Sequence, residues 1–259
     1  MLAFTIGFIV PFLYGIFLSF CKFTTVSNWK WVGFKNYSRI FVVNGSVDTS
    51  FIHSIWYTAL FTLVSVLIIN LVSFGIAMAL TKGIRGTNIF RTVFFLPNLI
   101  GGIVLSYVWL MIFNAILQNY SKTIISSEWS AFWGLIIVVC WQQIGYMMIV
   151  YIAGLQSVPD SVIEAAEIDG AGKWQQTLNV TIPGITPTII TMFILRVGNL
   201  MSMGYEKTIL LYSSATYETA DIISSYIYRV GLQEQSWSYS TAIGLFNSVI
   251  NLSLIHISE

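Results

Sequence analysis

The sequence predicts an all-α, polytopic membrane protein with six transmembrane helices, and three observations carry that prediction. Hydrophobic residues make up 56% of the 259 residues and charged residues only 9%, where soluble domains average roughly 25% charged. Uncharged runs recur at bilayer length, because about 20 residues rising ~1.5 Å each cross a hydrocarbon core of ~30 Å. The runs also lack the strict apolar–polar alternation of barrel strands. That leaves the helix as the way to satisfy the backbone in lipid.

Leu2–Phe20 carries no charge. It has neither a basic leader nor a small-x-small cleavage site, so it reads as a first span rather than a signal peptide. The "LSFC" at Leu18–Cys21 puts Phe20, too large for a lipid-attachment box, before the cysteine. Residues 1–259 are expected to form a single transmembrane domain. Its start directly in lipid-like sequence and its abrupt "NLSLIHISE" ending suggest trimming at both ends.

A polar, aromatic loop (21–53) containing "WKWVGFKNYSRIF" comes next. Ser54–Thr81 is the second span, closed by "LTKGIRGTNIFR", where Gly83 and Gly86 break the helix. Thr92–Ser121 is the third, with a kink expected where Pro97 removes a helical hydrogen bond and Gly101 and Gly102 weaken the helix. Trp129–Pro159 is the fourth. The fifth runs from about Thr186 to Tyr205 and is interrupted by Arg196 alone. A polar loop, Glu206–Glu234, leads to the sixth, Gln235–Ser258.

The connector after span four, "VPDSVIEAAEIDGAGKWQQ", is the anomaly. Asp160, Glu164, Glu167 and Asp169, among eleven acids in the whole chain, crowd into it. Ser161 and Glu164 have capping-box spacing, and Asp160 puts negative charge at a helix's positive end. Val162, Ile163, Ala165, Ala166 and Ile168 fill a helix of about two turns, and Gly170 suits the left-handed residue that stops it. A second helical stretch, near Lys173–Val180, leads to "TIPGITP", where Pro183 and Pro187 bound the entry to span five. So short a helix is marginal in water. It is expected to dock on a partner; a solvated loop with purely local capping is the alternative.

"EAAEIDGAGKWQQTLNVTIPGITPTI" resembles the EAA signature of binding-protein-dependent ABC importer permeases. That signature is EAA, then Gly, then about nine residues before Ile and Pro; Glu164, Ala165, Ala166, Gly170, Ile182 and Pro183 occupy those positions. "VGFKNY", "FRTVFFLPNLIGGIVLSYVW" and "YIAGLQSVPDSVIEAAEIDGAGKWQQ" are similar to the maltose and glycerol-phosphate branch of that family. From "RVGNLMSMGYEKTILLY" onward the chain looks more like permeases for oligosaccharides of plant or algal polysaccharides. The resemblance implies the ABC importer type I permease fold, with 158–183 as a cytoplasmic coupling-helix loop. Glu164, Ala165, Ala166, Asp169, Gly170, Ile182 and Pro183 would then transmit force from an ATPase.

It also implies the partners: a second homologous permease subunit, a cytoplasmic ABC ATPase dimer carrying ATP and Mg, and an extracytoplasmic sugar-binding protein received by the loops 21–53 and 206–234. The location would be a bacterial inner membrane. With the connector inside, Lys82, Arg85, Arg91 and Lys173 are cytoplasmic. Lys22, Lys30, Lys35, Arg39, Lys122, Lys207 and Arg229 are then outside, against the positive-inside bias. The resemblance sets the orientation instead.

No cofactor is expected in the chain itself. "GAGKW" is the nearest approach to a phosphate-binding loop, but Glu167 stands where its first glycine belongs and Trp174 follows the lysine. Cys21 and Cys140 lie in or beside different spans, so neither a disulfide nor a metal framework is expected. His53 and His256 have no catalytic partners, and a net charge of +1 with scattered basic residues gives no reason to expect nucleic acid. Inside the spans, Arg196, Asn199, Ser202 and Tyr205 form a stripe at helical spacing. "WQQIGYMM" adds Trp141, Gln142, Gln143 and Tyr146. Polar groups within spans are costly and usually functional. A sugar path is one reading, since amides and guanidinium bond hydroxyls and aromatic faces stack on C–H faces; interhelical adhesion is the other. The rival function is an ATP-independent secondary transporter or facilitator, which predicts acids within spans, whereas the acids here fall in loops or at the C-terminus.

Overall fold

The structure, a computed structural model, describes residues 1–25, 27–43, 46–47, 49–82, 84–118, 127–198, 206 and 221–257. Its helices in chain order are α1 (Leu2–Ser19), α2 (Lys35–Phe41), α3 (Thr49–Thr81), α4 (Thr87–Leu99), α5 (Gly102–Leu117), α6 (Glu128–Gln156), α7 (Asp160–Ile168), α8 (Lys173–Gly184), α9 (Thr186–Gly198), α10 (Ile223–Tyr228) and α11 (Trp237–Ile257). Among the described residues, helices α1, α3 and α6 are long and apolar enough to cross a membrane. The count rises to five if α4 with α5 and α8 with α9 each make one bent span. The sixth uncharged run is the 21-residue helix α11. The chain divides into two compact units, Met1–Leu60 with Gly198–Glu259, and Phe61–Val197.

The first unit corrects the reading of the aromatic segment as plain loop. Strands β1 (Cys21–Thr25) and β2 (Asn28–Trp31) form an antiparallel hairpin with Lys22 opposite Lys30 and Phe23 opposite Trp29. A second small hairpin joins β3 (Val42–Val43) to β4 (Ser46–Val47). The alternation Cys21, Phe23 and Trp29, Trp31 is a period-two pattern, which favours strand pairing. Asn36, buried on α2, holds the hairpin to the end of α1 by donating to the Ser19 and Cys21 carbonyls at 2.8 and 2.9 Å.

The stretch before Glu234 is not loop throughout either. Helix α10 and the π turn Arg229–Gln233 put Ile223, Tyr226 and Val230 into a core with Ile40, Phe51, Tyr239 and Ile243. Asp221 is buried at the head of α10. It accepts from Ser225 Oγ at 2.5 Å and from Arg229 Nη2 at 2.8 Å, and Arg229 also reaches Glu234 at 2.7 Å. Burial pushes the Asp221 carboxyl above the usual carboxylate range, against the pull of Ser225 and Arg229.

In the second unit the expected kink in the third span is a full break. Pro97 lies inside α4, the helix ends at Leu99, Ile100 turns extended at ψ 128°, and α5 leaves at 100°. The expected single helix over Thr92–Ser121 is therefore two. A proline removes one hydrogen bond; the adjacent glycine pair lets the chain abandon helical torsions altogether. The Ile100 carbonyl freed by the break accepts from Gln142 Nε2 of α6 at 2.9 Å. Non-helical backbone at membrane depth persists only where such a partner exists. Helices α4 and α6 cross in backbone contact at Gly145: a Cβ built there would sit 1.9 Å from the Phe94 carbonyl oxygen. On the part of α3 that lies in this unit, Thr62, Ser65 and Ser73 are all fully buried. Small polar residues of this kind let membrane helices approach closely.

Candidate functional site

The acidic connector folds as a closed excursion from the second unit. Val158, at its start, packs against Gly184, at its end; a Cβ on Gly184 would come within 3.0 Å of a Val158 methyl. Helix α7 begins two residues earlier than capping-box spacing requires. Pro159 is the N-cap at φ −63°, ψ 134°, no side chain caps the helix, and Ser161 is its second residue rather than its cap. Proline's fixed φ makes it a ready entry to the helix, and the Pro159 carbonyl still accepts from Val162 N–H at 3.1 Å. Asp160 remains in the first turn, where its charge meets the positive end of the helix.

The C-terminus behaves as expected. Gly170 adopts φ +81°. Ala171 N–H reaches the Ala166 carbonyl at 2.9 Å and Gly170 N–H the Glu167 carbonyl at 3.1 Å. These two bonds are the Schellman pair, which consumes orphan carbonyls and reverses the chain. Helix α8 then starts at once: Gly172 N–H donates to Gln175 Oε1 at 2.9 Å, and buried Gln176 donates to the Ala171 carbonyl at 2.8 Å. A bend of 57° separates α8 from α9, with Ile182 and Pro183 just before it.

No residue of α7 is buried. Ile163 and Ala166, three residues apart, are its half-covered side, together with Ala171. Its open side presents Val162, Ala165 and Ile168, with Ile168 87% exposed and Trp174 of α8 73% exposed beside them in sequence. Asp160, Glu164 and Glu167 repeat at helical spacing next to this apolar stripe and are exposed. The expected coupling residues Glu164, Ala165, Asp169, Gly170 and Pro183 are likewise exposed, and Ala166 and Ile182 partly covered. The Lys173–Glu167 pair, at 3.4 Å with both side chains mostly exposed, holds little. Trp174 was passed over in the sequence except as the residue that spoils a phosphate loop; a tryptophan in an acidic connector was itself the signal.

The residues proposed for a path divide differently. Asn199, Ser202 and Tyr205 lie outside the described residues. Arg196 of α9 donates from Nη2 to Gln143 Oε1 of α6 at 2.9 Å. One turn on, Tyr146 is 42% exposed, and Trp141 is 43% exposed on the same helix. Gln142, next to Gln143, points elsewhere. It is buried, its amide nitrogen is spent on Ile100, and its Oε1 has no hydrogen-bond partner among the described residues. Its environment is that of a structural plug at the helix break. Sequence reading missed two further members of the polar layer: Tyr151 of α6 donates to Asn70 Oδ1 of α3, and Asn70 donates to the Val66 carbonyl at 2.7 Å. Asn70 is the one amide in a long apolar span, and that isolation could have marked it.

Comparison with known proteins identifies the family. Residues 71–258 match the family described as "binding-protein-dependent transport system inner membrane component". The chain is 33% identical over 267 residues to AmyD of Thermoanaerobacterium thermosulfurigenes, a probable starch degradation products transport system permease, covering 99% of this chain and 89% of that one. It is also similar to a chain of a bacterial ABC transporter involved in the import of the acidic polysaccharide alginate. There the TM-score is 0.85 at 27% identity, over 99% of this chain and 90% of that one. A bacterial alginate ABC transporter in complex with an alginate pentasaccharide-bound periplasmic protein gives a TM-score of 0.83 at 26% identity, covering 99% and 89%. The chain therefore belongs to the binding-protein-dependent transport system inner membrane components, and is a multi-pass permease subunit of an ABC importer.

Proposed function

We propose that this permease translocates a sugar or oligosaccharide handed over by an extracytoplasmic binding protein, with α7 as the peg that couples it to an ATPase. The substrate class rests on relatives that carry starch products and alginate. The peg rests on one observation above all: a nine-residue helix with no buried residue, ended by a completed Schellman turn, that presents Val162, Ile168 and Trp174 to the surroundings. An isolated helix of that length is unstable in water, and large apolar side chains left open beside a row of acids make a docking face.

In this reading an ATPase dimer bearing ATP and Mg closes, and its groove carries α7 with it. The Schellman turn and the Val158–Gly184 contact make the excursion stiff enough to pass the movement to α6 and α9, the helices it joins. Arg196 and Gln143 bridge those same two helices. Shear between α6 and α9 would stretch that bond and free the guanidinium and amide for sugar hydroxyls. A second permease subunit would supply the other wall of the path, and the loops 21–53 and 206–234 would meet the binding protein.

Gly170→Val tests the peg. A β-branched residue at φ +81° costs about 1–3 kcal/mol, confined to the turn. In proteoliposomes holding the full transporter, ATP hydrolysis stimulated by loaded binding protein should be lost, while assembly and basal hydrolysis stay. Stimulated hydrolysis at the unsubstituted level would remove α7 from coupling. Substrate uptake that proceeds without ATP would establish the rival, a facilitator.

A further inference from the structure

We propose that the first unit holds a binding site for the headgroup of an anionic phospholipid, in the cavity between the β1–β2 hairpin, α2 and the start of α11. The cavity has a volume of about 430 Å³, within the usual range of roughly 300–1,000 Å³ for small-ligand sites. Among the described residues its lining includes Lys22, Lys35 and Arg39 and no carboxylate. Among the described residues none of these three cations has an acidic partner; the ion pairs there are Lys173–Glu167, Arg229–Asp221 and Arg229–Glu234.

Three neutral polar side chains of the wall are already committed. Asn36 bonds the Ser19 and Cys21 carbonyls, and Ser238 bonds both backbone groups of Phe23. Ser38 donates to the Lys35 carbonyl. Lys22, Lys35 and Arg39, the last lying over the Tyr239 ring at 4.5 Å, are the charged groups the wall offers a ligand. Three like charges around one cavity repel each other, and an anion among them relieves that repulsion. Gln235, on the same wall, is the single non-glycine residue at positive φ among the described residues, at 56°. Strain of that kind concentrates at binding sites.

The level of the cavity in the membrane selects the anion. Its walls begin at Lys22, just after α1 ends at Ser19, and finish in the first turn of α11, at Trp237, Ser238 and Tyr239. Phe23 N–H donates to Ser238 Oγ at 2.8 Å, and Ser238 Oγ donates to the Phe23 carbonyl at 3.2 Å, so the strand that leaves α1 is held level with the first turn of α11. Around that height lies an open aromatic collar. Trp31 stacks on Phe20, Trp29 meets Phe17 edge-on at 4.9 Å, and Trp29, Trp31 and Phe34 are 44%, 61% and 73% exposed. Exposed tryptophans at helix ends mark the membrane–water interface. An anion-accepting cavity at that depth faces lipid phosphates, and its three cations attract an anionic headgroup by simple Coulomb attraction. Trp237 and Phe23 on the wall would flank the glycerol end.

The test uses the assembled transporter in nanodiscs of equal phosphatidylglycerol and phosphatidylcholine, with retained lipid read by native mass spectrometry. The unsubstituted complex should keep phosphatidylglycerol in preference to phosphatidylcholine. Lys35→Gln with Arg39→Gln should lower that preference about 25-fold, from about fivefold for each cation near an anionic surface. Lys35→Arg with Arg39→Lys, which keeps the charge, should retain it and controls for folding. Equal retention of the two lipids, or an unchanged preference in the glutamine variant, overturns the proposal. Displacement of the lipid by inorganic phosphate also overturns it, in favour of a soluble anion. So does a glutamine variant that keeps the lipid but no longer receives loaded binding protein, which would assign the cations to that protein.

Discussion

Two places in the second unit turn on a glycine, and they differ in what fixes it. At Gly170 the surroundings are open, with nothing within 4 Å of a built Cβ, and the requirement is the left-handed φ of +81°. At Gly145 the torsions are ordinary and the requirement is space, because the Phe94 backbone occupies the position of a side chain. The first constraint is written within five residues of chain. The second needs a helix fifty residues away. A local glycine governs motion of an exposed piece; a crossing glycine governs whether the unit packs at all.

The largest expected effect follows from the crossing. Gly145→Ala forces its Cβ against backbone, which has no rotamer to move, so α4 and α6 must separate. Overpacking of this kind costs about 3 kcal/mol or more. The apparent melting temperature of the purified transporter should fall sharply, or folded protein should fail to accumulate. A variant as stable as the original would show that the two backbones part easily, and would erase the contrast with Gly170.

Gln142 sharpens the same contrast one turn away. Gln142→Ala leaves the Ile100 carbonyl without its donor at a break in lipid-depth backbone, a loss of about 1–3 kcal/mol. Gln142→Glu keeps the shape but offers an acceptor or a hydroxyl in place of the amide, and should not restore stability fully. An alanine variant with normal stability would return Gln142 to the path-lining role that sequence reading gave it.

Arg196→Ala should cost less in stability. Interhelical polar contacts in membranes average about 0.6 kcal/mol and reach at most ~1.7, and Gln143 is only half-buried and can find water. Transport should suffer more than folding: sugar uptake by the reconstituted complex should show weakened or altered substrate use. Unchanged kinetics would leave the Arg196–Gln143 bond as adhesion between α6 and α9.

How much was legible follows the same division. The left-handed stop at Gly170 and the disruption at Pro97–Gly102 were read directly, because backbone torsion is a property of the residue itself. The capping box lies two positions from the observed start, since Ser161 and Pro159 both offer plausible starts and only the folded chain chooses. The β1–β2 hairpin was passed over because its alternation covers too few residues to stand out from an aromatic loop. The Asn70–Tyr151 and Gln142–Ile100 bonds join residues 81 and 42 positions apart, and no local pattern announces such a pair.

Glu167 gives the smallest effect and the finest test of the exposed region. Its partner Lys173 is 3.4 Å away, but the two side chains are 79% and 62% exposed, so the pair contributes about 0–1 kcal/mol and salt screens it. Glu167→Gln should leave the melting temperature where it was. Any change must then appear only when a partner is present: Glu167 continues the acidic row of Asp160 and Glu164, and losing one charge from a docking face lowers the association rate more than the final affinity. Association of the permease with its ATPase should slow at low ionic strength and converge with the unsubstituted rate as salt rises. A loss of thermal stability instead would mean that the acidic row serves the loop's own fold. The difference between an open glycine and a crowded one would then no longer separate coupling from packing.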